Sequence, residues 1–260
     1  MEEEILVSII VVTYNRPDWL TKCLVSVKAQ LAQNFEVVVV NDAGENVEEV
    51  VKNSGIERIK YIAHDINKGL GAARNTGIEN ATAKYICFLD DDDVLYVNYT
   101  QMLVAILEQG NLDIVYCDAV RDAYEKKEDG SYYIVGKTIP YSIDPDLDLL
   151  LVQNITPVNA VMFSREIMGE DRVDEDIRVY EDWDFWIRLF QKGKVGNYPF
   201  PFVAYSARND GSTMSSSRNE FTTLIPEIYK RYRNLATDKA RVYEMQNKVL
   251  NSRSLPIFVD

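Results

Sequence analysis

Four consecutive aspartates, Asp90 to Asp93, follow directly on the apolar run Tyr85, Ile86, Cys87, Phe88 and Leu89, and no other stretch concentrates charge so abruptly. A run of that length reads as a buried strand of a parallel sheet, which delivers the aspartates to its C-terminal edge, where open α/β sheets bind ligands. Adjacent carboxylates repel one another and lose hydration when brought together, so a fold that gathers them at a cleft generally supplies a cation. Mg²⁺ or Mn²⁺ suits an all-oxygen ligand set, and Mg²⁺ usually shares its carboxylates with substrate phosphates. On these residues alone two readings stand. One is a metal and diphosphate site; the other is a solvated acidic turn capping a helix that starts near Tyr96.

The elements upstream deliver more polar groups to the same edge. Ile5 to Tyr14 is a β-branched run that predicts a buried first strand, ending in Thr13, Tyr14, Asn15 and Arg16. Pro17 suits the first turn of a helix whose apolar face carries Leu20, Leu24, Val27 and Leu31. Phe35 to Val40 predicts a second strand that ends in Asn41 and Asp42, and Arg58 to Ala63 a third. A polar loop through His64 then leads to a helix from about Gly71 to Asn80. This alternation implies parallel strands with right-handed crossovers and helices on both faces, so all four strand ends open together.

Further along, a helix near Tyr96 to Gln109 and a strand near Asp113 to Ala119 precede an exposed hairpin, Arg121 to Pro140, with Gly130 at its turn. Asp144 to Val152 reads as a short helix and Ala160 to Ser164 as a strand. In Glu181 to Gln191 the apolar residues Trp183, Trp186, Ile187 and Phe190 fall at helical spacing. Two strands, Lys194 to Tyr198 and Phe202 to Ala207, lead into a Gly and Ser loop. From about Asn219 to Asn251 the pattern is helical, with interruptions expected at Pro226 and near Leu235. The simplest division is one domain over 1–217 followed by a helical C-terminal extension over 218–260.

Composition narrows the function classes. A formal net charge of −13 argues against a general nucleic-acid surface. Three widely spaced cysteines, Cys23, Cys87 and Cys117, suggest reduced thiols in a cytoplasmic protein, and a single histidine, His64, argues against a zinc cluster. The N-terminal MEEE is acidic where a signal peptide is basic, and the longest apolar run is too short to span a bilayer.

Five groups should converge on the sheet edge: Thr13 with Tyr14, Asp42, Arg74, the Asp90 to Asp93 run, and Glu181 with Asp182. An aspartate such as Asp42 can accept from a base N–H or a ribose hydroxyl, a tyrosine such as Tyr14 can lie against a flat ring, and Arg74 can hold a base carbonyl or a phosphate. Singly, each has a plainer reading. Asp42 suits an Asx turn or helix cap, Arg74 a helix surface and Tyr14 the core.

These residues carry a resemblance. VSIIVVTYNRPDWLTKCLVSV (Val7 to Val27), VVVVNDAG (Val37 to Gly44), NKGLGAARNTGI (Asn67 to Ile78), YICFLDDDD (Tyr85 to Asp93) and EDWDFWIRL (Glu181 to Leu189) occur in the order and spacing of the inverting family 2 glycosyltransferases of GT-A fold. The resemblance covers most of residues 5 to 210. It implies a Rossmann-like, mostly parallel sheet flanked by helices, with a nucleotide-binding half to about 118, an acceptor half over about 119–217 and a helical C-terminal tail. It also implies a nucleoside diphosphate sugar donor, UDP-sugar favoured, held near Thr13, Tyr14, Asn15, Asp42 and Arg74. Asp90, Asp91 and Asp92 would form the family's DxD motif, with Asp92 the direct ligand of Mn²⁺ or Mg²⁺, Asp90 nearer the ribose or metal, and Asp91 in the donor site. Asp182 would be the catalytic base, with Glu181 a helix cap or a base-orienting neighbour. Such an enzyme moves a sugar to an acceptor hydroxyl of a saccharide or lipid-linked acceptor in polysaccharide or glycoconjugate synthesis. Trp183 and Trp186 suit an acceptor site, but an aromatic stripe at helical spacing belongs more often to the core.

One departure matters. Many relatives carry a histidine in a YRxH-like segment after the ED helix, where this chain reads YSARNDGSTMS, Tyr205 to Ser215. Asp210 or Asn209 would have to supply oxygen in its place. His64 suits a loop near the donor pocket better than a ligand set.

The C-terminal stretch from Arg218 to Ser254 reverses the overall sign, with eight Lys or Arg against four acids. Such a tail suits peripheral contact with the inner face of an anionic membrane, or, more commonly, a solvated helix face packed on the domain. Two other functions compete. A nucleotidyltransferase would carry a Gly-rich phosphate loop after the first strand, where this chain has TYNRPD. A binding module without catalysis would share the donor site but has no need of Asp182.

Overall fold

The structure, a computed structural model, describes residues 4–208, 218–253 and 255. Strands β1 (Val7–Thr13), β2 (Phe35–Asn41), β3 (Ile59–Ala63) and β4 (Tyr85–Asp90) alternate with helices α1 (Pro17–Lys28), α2 (Glu48–Lys52) and α3 (Leu70–Asn80). All pairings among these strands are parallel, and β1 lies between β2 and β4. The chain therefore runs outward from β1 to β3 and returns to the other side of β1, leaving a crevice where β1 and β4 end together, Val12 beside Asp90. That reversal of strand order is where doubly wound sheets bind ligands.

Burial on both faces accounts for the unbroken apolar runs. Every residue of β1 is buried. Ile9 and Val11 join a core with Leu20, Leu24 and Val27 of α1, whereas Ile10 and Val12 join the opposite core with Ala73 and Ile78 of α3. All three cysteines are buried and free.

The second half continues the same sheet with mixed polarity. It comprises β5 (Val94–Leu95), α4 (Tyr99–Leu107), β6 (Ile114–Lys126), β7 (Tyr132–Tyr141), α5 (Leu147–Leu150), β8 (Val161–Ser164), α6 (Arg165–Met168), α7 (Glu181–Phe190), β9 (Val195–Arg208), α8 (Arg218–Tyr232) and α9 (Lys239–Ser252). Beyond β4 the order is β8, β6, β9, β5, with β7 paired to β6 as the expected hairpin. Three details differ from the sequence reading. The two strands expected around Pro199 and Pro201 are one, because β9 continues across the prolines while its register against β6 slips there, from Cys117 opposite Tyr198 to Ala119 opposite Val203. Proline has no N–H for the ladder, and a bulge accommodates it. Val94 and Leu95 pair with β9 before α4 begins. Helix α8 runs through Pro226, so the break falls only after Tyr232.

The C-terminal helices pack on α7. Asp184 of α7, fully buried, accepts from Arg188 Nε (3.0 Å), Arg231 Nη1 (2.9 Å) and the Tyr232 hydroxyl (2.6 Å). Tyr229 donates to Val152 O at 2.6 Å, and Asp148 accepts from Thr237 N and Asp238 N. Three of the tail's cations are paired with acids of the chain, Arg231 with Asp174 and Asp184, Arg241 with Asp146, Lys248 with Glu244. No helix among the described residues is long and apolar enough to cross a membrane.

Helix α3 sits close on β1 because Gly77 faces Ile10. A Cβ at Gly77 would lie 2.2 Å from Ile10 Cγ2. Gly77→Ala is expected to lower the urea midpoint by a net loss of about 1–2 kcal/mol, overpacking outweighing the roughly 1 kcal/mol that alanine gains in a helix.

Candidate active site

The crevice is built by loop ends whose backbones are constrained. Among the described residues, the non-glycine positions with positive φ are Asn15 (55°) after β1, Ala43 (60°) after β2 and Tyr180 (66°) before α7. Such conformations cost energy and persist where surrounding contacts fix them. Asn15 Oδ1 accepts from Glu45 N at 2.8 Å, which ties the ends of β1 and β2 together. Gly44 is needed in this junction, since a Cβ there would lie 2.7 Å from Asn15 N. Tyr14 beside it is 45% exposed, leaving its ring open to a flat ligand.

Asp42 shapes the loop that enters α3. Its Oδ1 accepts from Lys68 N (2.8 Å) and lies 2.7 Å from His64 Nδ1, and its Oδ2 accepts from Gly69 N (2.8 Å). His64 Nε2 lies 2.9 Å from Thr76 Oγ1 on α3. His64 thus links Asp42 to α3 and supports the loop that enters that helix.

Arg74 is the central cation. It is 1% exposed, donates from Nη1 to Glu181 Oε1 at 2.6 Å and from Nη2 to Asp90 Oδ1 at 3.0 Å, and lies over the Phe88 ring. Burial works against its charge, but Asp90, Glu181 and Asp182 outweigh it and raise its proton affinity above that of ordinary arginine. Its neighbour Asn75 bonds Val173 O, Val173 N and Glu175, pinning the segment that precedes α7.

The aspartate run divides its work. Asp91 is fully buried; its Oδ2 accepts from Thr13 Oγ1 at 2.7 Å, and Arg16 Nε lies 3.3 Å from its Oδ1. Burial, helped by the charges of Asp92 and Asp90, pushes Asp91 up to about 7 against the pull of Arg16 and Thr13. Asp92 meets Arg16 Nη1 (2.8 Å) and Arg208 Nη2 through Oδ2. Asp93 accepts from Asn159 Nδ2 and from Ser206 N, both at 3.0 Å, besides closing the turn through its N–H to Asp90 O. It therefore staples the end of β4 to the second half of the sheet.

Glu181 and Asp182 open α7, where the helix N-terminus favours carboxylates. Burial pushes Glu181 up to about 7 despite Arg74, with the like charge of Asp182 adding to it. Burial likewise raises Asp182, opposed by Arg74 and by bonds from Trp183 N (2.8 Å, to Oδ1) and Asn154 Nδ2 (3.0 Å, to Oδ2). Trp183 and Trp186 are core residues, 2% and 0% exposed, and Trp183 Nε1 donates to Leu150 O.

Sequence reasoning thus brings Thr13, Arg74, Asp90, Asp91, Asp92, Glu181 and Asp182 to one edge. It missed Asn154, Asn159, Ser206 and Arg208, which reach the site across the fold and carry no local signal. Asp210 and Asn209 lie outside the described residues.

A divalent cation fits part of this arrangement. Among the described residues no three His, Cys, Asp or Glu side chains form a metal cage of their own. Both guanidinium contacts on Asp92 fall on Oδ2, and Arg74 takes only Oδ1 of Asp90. One oxygen of each carboxylate is left without a hydrogen bond from the described residues, which suits an ion that completes its shell with substrate phosphates.

Known structures share this architecture. S. aureus TarS 1-349 in complex with UDP-GlcNAc superposes with a TM-score of 0.74 at 19% identity, covering 95% of this chain and 72% of that one. The mannosyltransferase PcManGT from Pyrobaculum calidifontis, in complex with GDP-Man and Mn²⁺, gives 0.62 at 15% identity over 97% and 76%. The fold is that of the GT-A glycosyltransferases. The Glycosyl transferase family 2 profile matches residues 8–169, and the uncharacterized glycosyltransferase YwdF of Bacillus subtilis is 31% identical over 81% of this chain and 77% of its own length. The chain belongs to glycosyltransferase family 2. It spans only 29% of the length of a Rickettsia bellii relative that is 30% identical.

Removing Arg74 would leave Glu181 and Asp90 without their shared cation. Arg74→Met should cost roughly 3 kcal/mol in denaturant unfolding at pH 8, the scale for breaking a buried pair. The loss should shrink at pH 6, because Glu181, raised to about 7, then takes up a proton and no longer needs the guanidinium.

Proposed function

We propose that this chain is an inverting glycosyltransferase that moves a sugar from a nucleoside diphosphate sugar, UDP-sugar favoured, to the hydroxyl of a saccharide or lipid-linked acceptor in polysaccharide or glycoconjugate synthesis, working at the cytoplasmic side. One observation carries the reading. Arg74 bonds Asp90 at the end of β4 and Glu181 at the start of α7, so the carboxylates suited to a donor diphosphate and those suited to an acceptor hydroxyl meet through one side chain. The UDP-GlcNAc in TarS and the GDP-Man in PcManGT support a nucleotide-sugar donor.

In this reading the nucleoside lies against Tyr14, in the crevice shaped by Thr13, Asn15 and Asp42. Asp92 and Asp90 would hold Mn²⁺ or Mg²⁺, with Asp210 a further candidate ligand. A bound divalent ion neutralises charge that builds on the leaving diphosphate. Asp182 accepts the proton of the acceptor hydroxyl as its oxygen attacks the anomeric carbon on the face opposite the leaving group. A single base suffices for one displacement with inversion. Asn154 and Trp183 N fix the carboxylate's orientation, and Glu181, held by Arg74, fixes the helix end beneath it.

A panel of sugar nucleotides with Mn²⁺ or Mg²⁺, read by release of nucleoside diphosphate, should identify a donor. Asp182→Asn should then lower turnover by at least about 10²-fold, the scale of a general base, with metal-dependent donor binding kept. Loss of donor binding in that variant would make Asp182 structural, and absence of any nucleotide-induced shift in melting temperature would sink the donor site. Asn154→Ala removes a bond that favours the ionised form of Asp182, so the acid limb of the kcat/KM–pH profile should move to higher pH, with activity lost first at low pH. An unshifted limb would remove Asn154 from the base's environment.

A further inference from the structure

Arginines beside the carboxylates are engaged: Arg16 meets Asp91 and Asp92, Arg74 meets Asp90 and Glu181, and Arg208 meets Asp92. Arg121 differs. It lies on β6 opposite Tyr205 of β9 and Thr138 of β7, is partly buried, and makes no hydrogen bond or ion pair with any described residue. Tyr141 of β7 stands opposite Ala119, two residues earlier on β6, and its ring lies 6.2 Å from that of Tyr205. Neither phenol bonds a described residue.

Three donors are thus gathered with no acceptor among the described residues. Burial raises the proton affinity of both phenols, with the Asp182 charge adding to that of Tyr141, so both remain O–H donors at physiological pH. Arg121 pulls in the opposite direction on both, which places its charge near both hydroxyls. The charge of Asp182 acts on Tyr141 and that of Asp93 on Tyr205, so the cluster borders both the start of α7 and the end of the aspartate run. In a chain of net charge −13, a cation that no described carboxylate pairs is set apart from the pattern elsewhere in the site.

We propose that Arg121, Tyr141 and Tyr205 form an acceptor subsite for an acidic group, a phosphate or carboxylate carried by the acceptor saccharide. A guanidinium fork and phenolic hydroxyls match the oxygens of such a group, and anchoring it fixes how a neighbouring hydroxyl approaches Asp182. The subsite rests on Asp182 being the base of a glycosyl transfer.

The full chain, saturated with UDP and Mn²⁺ so that the donor site is filled, is titrated calorimetrically with glucose, glucose 6-phosphate and glucuronate. At least one acidic probe should bind about tenfold tighter than glucose, the scale of a charged hydrogen bond, with the preference falling as salt is added. Tighter binding of glucose 6-phosphate assigns a phosphate-bearing acceptor, and tighter binding of glucuronate an acidic sugar. Arg121→Gln should erase the preference and Arg121→Lys keep part of it, with UDP binding in both equal to wild type. Tyr141→Phe provides a milder variant, expected to weaken the acidic probes alone. Equal binding of acidic and neutral probes, or a preference intact in Arg121→Gln, overturns the subsite while UDP binding still supports the donor reading. Failure of the wild-type chain to bind UDP overturns the donor reading and the subsite with it.

Discussion

The buried guanidinium of Arg74 is the contact on which the site's geometry depends. Desolvating an arginine is tolerated only where carboxylates compensate it, and a planar fork can meet two of them in fixed directions. Here the two are Asp90 of β4 and Glu181 of α7, 91 residues apart in sequence. A lysine has one point of charge and could not set both directions. Around Arg74, consecutive residues of α3 each reach a different part of the crevice: Asn75 pins residues 173–175, Thr76 meets His64 and through it Asp42, and Gly77 lets the helix sit on Ile10. One short helix thus sets the relative positions of the loop held by Asp42, the aspartate run and the helix that carries Asp182.

The aspartate run shows how a fold manages an excess of negative charge at one strand end. Asp91 is buried against Thr13, Asp93 bonds to neutral donors, and Asp92 lies between two guanidinium groups. Asp90 and Asp92 each keep an oxygen that no described residue bonds, whereas the unbonded Oδ1 of Asp91 is buried with Arg16 Nε 3.3 Å away. The run therefore contains two structural carboxylates and two that remain available to a ligand.

Much of this was legible in the sequence because strands buried on both faces read as unbroken apolar runs, and the polar residues that end them are therefore exposed by contrast. The four parallel strands, the hairpin and the core placement of Trp183 and Trp186 follow from period and composition. The partners of each carboxylate were not legible. Arg74 reads as a residue to hold a base or phosphate, yet in the structure both its Nη groups are occupied by carboxylates, because only the packed fold puts Asp90 and Glu181 within reach. Asn154 and Arg208 sit in segments without a period or a turn signature, so nothing local marks them. The continuity of β9 across Pro199 and Pro201 also escaped, since a proline's local preference against the ladder is overridden by a bulge that the neighbouring strand accommodates.

Asp184 ties the C-terminal helices to this arrangement from behind. It lies two residues beyond Asp182 on α7 and takes Arg231 and Tyr232 from α8 as partners. The far end of the chain is thus part of the foundation of the helix that presents the proposed base. Exchange of C-terminal segments between related cores would be constrained in the same way: a graft that brought no cation and hydroxyl to this position would leave a fully buried carboxylate with Arg188 alone. Modularity at this end of the molecule is therefore limited by charge matching at a single buried residue rather than by the shape of the outer surface.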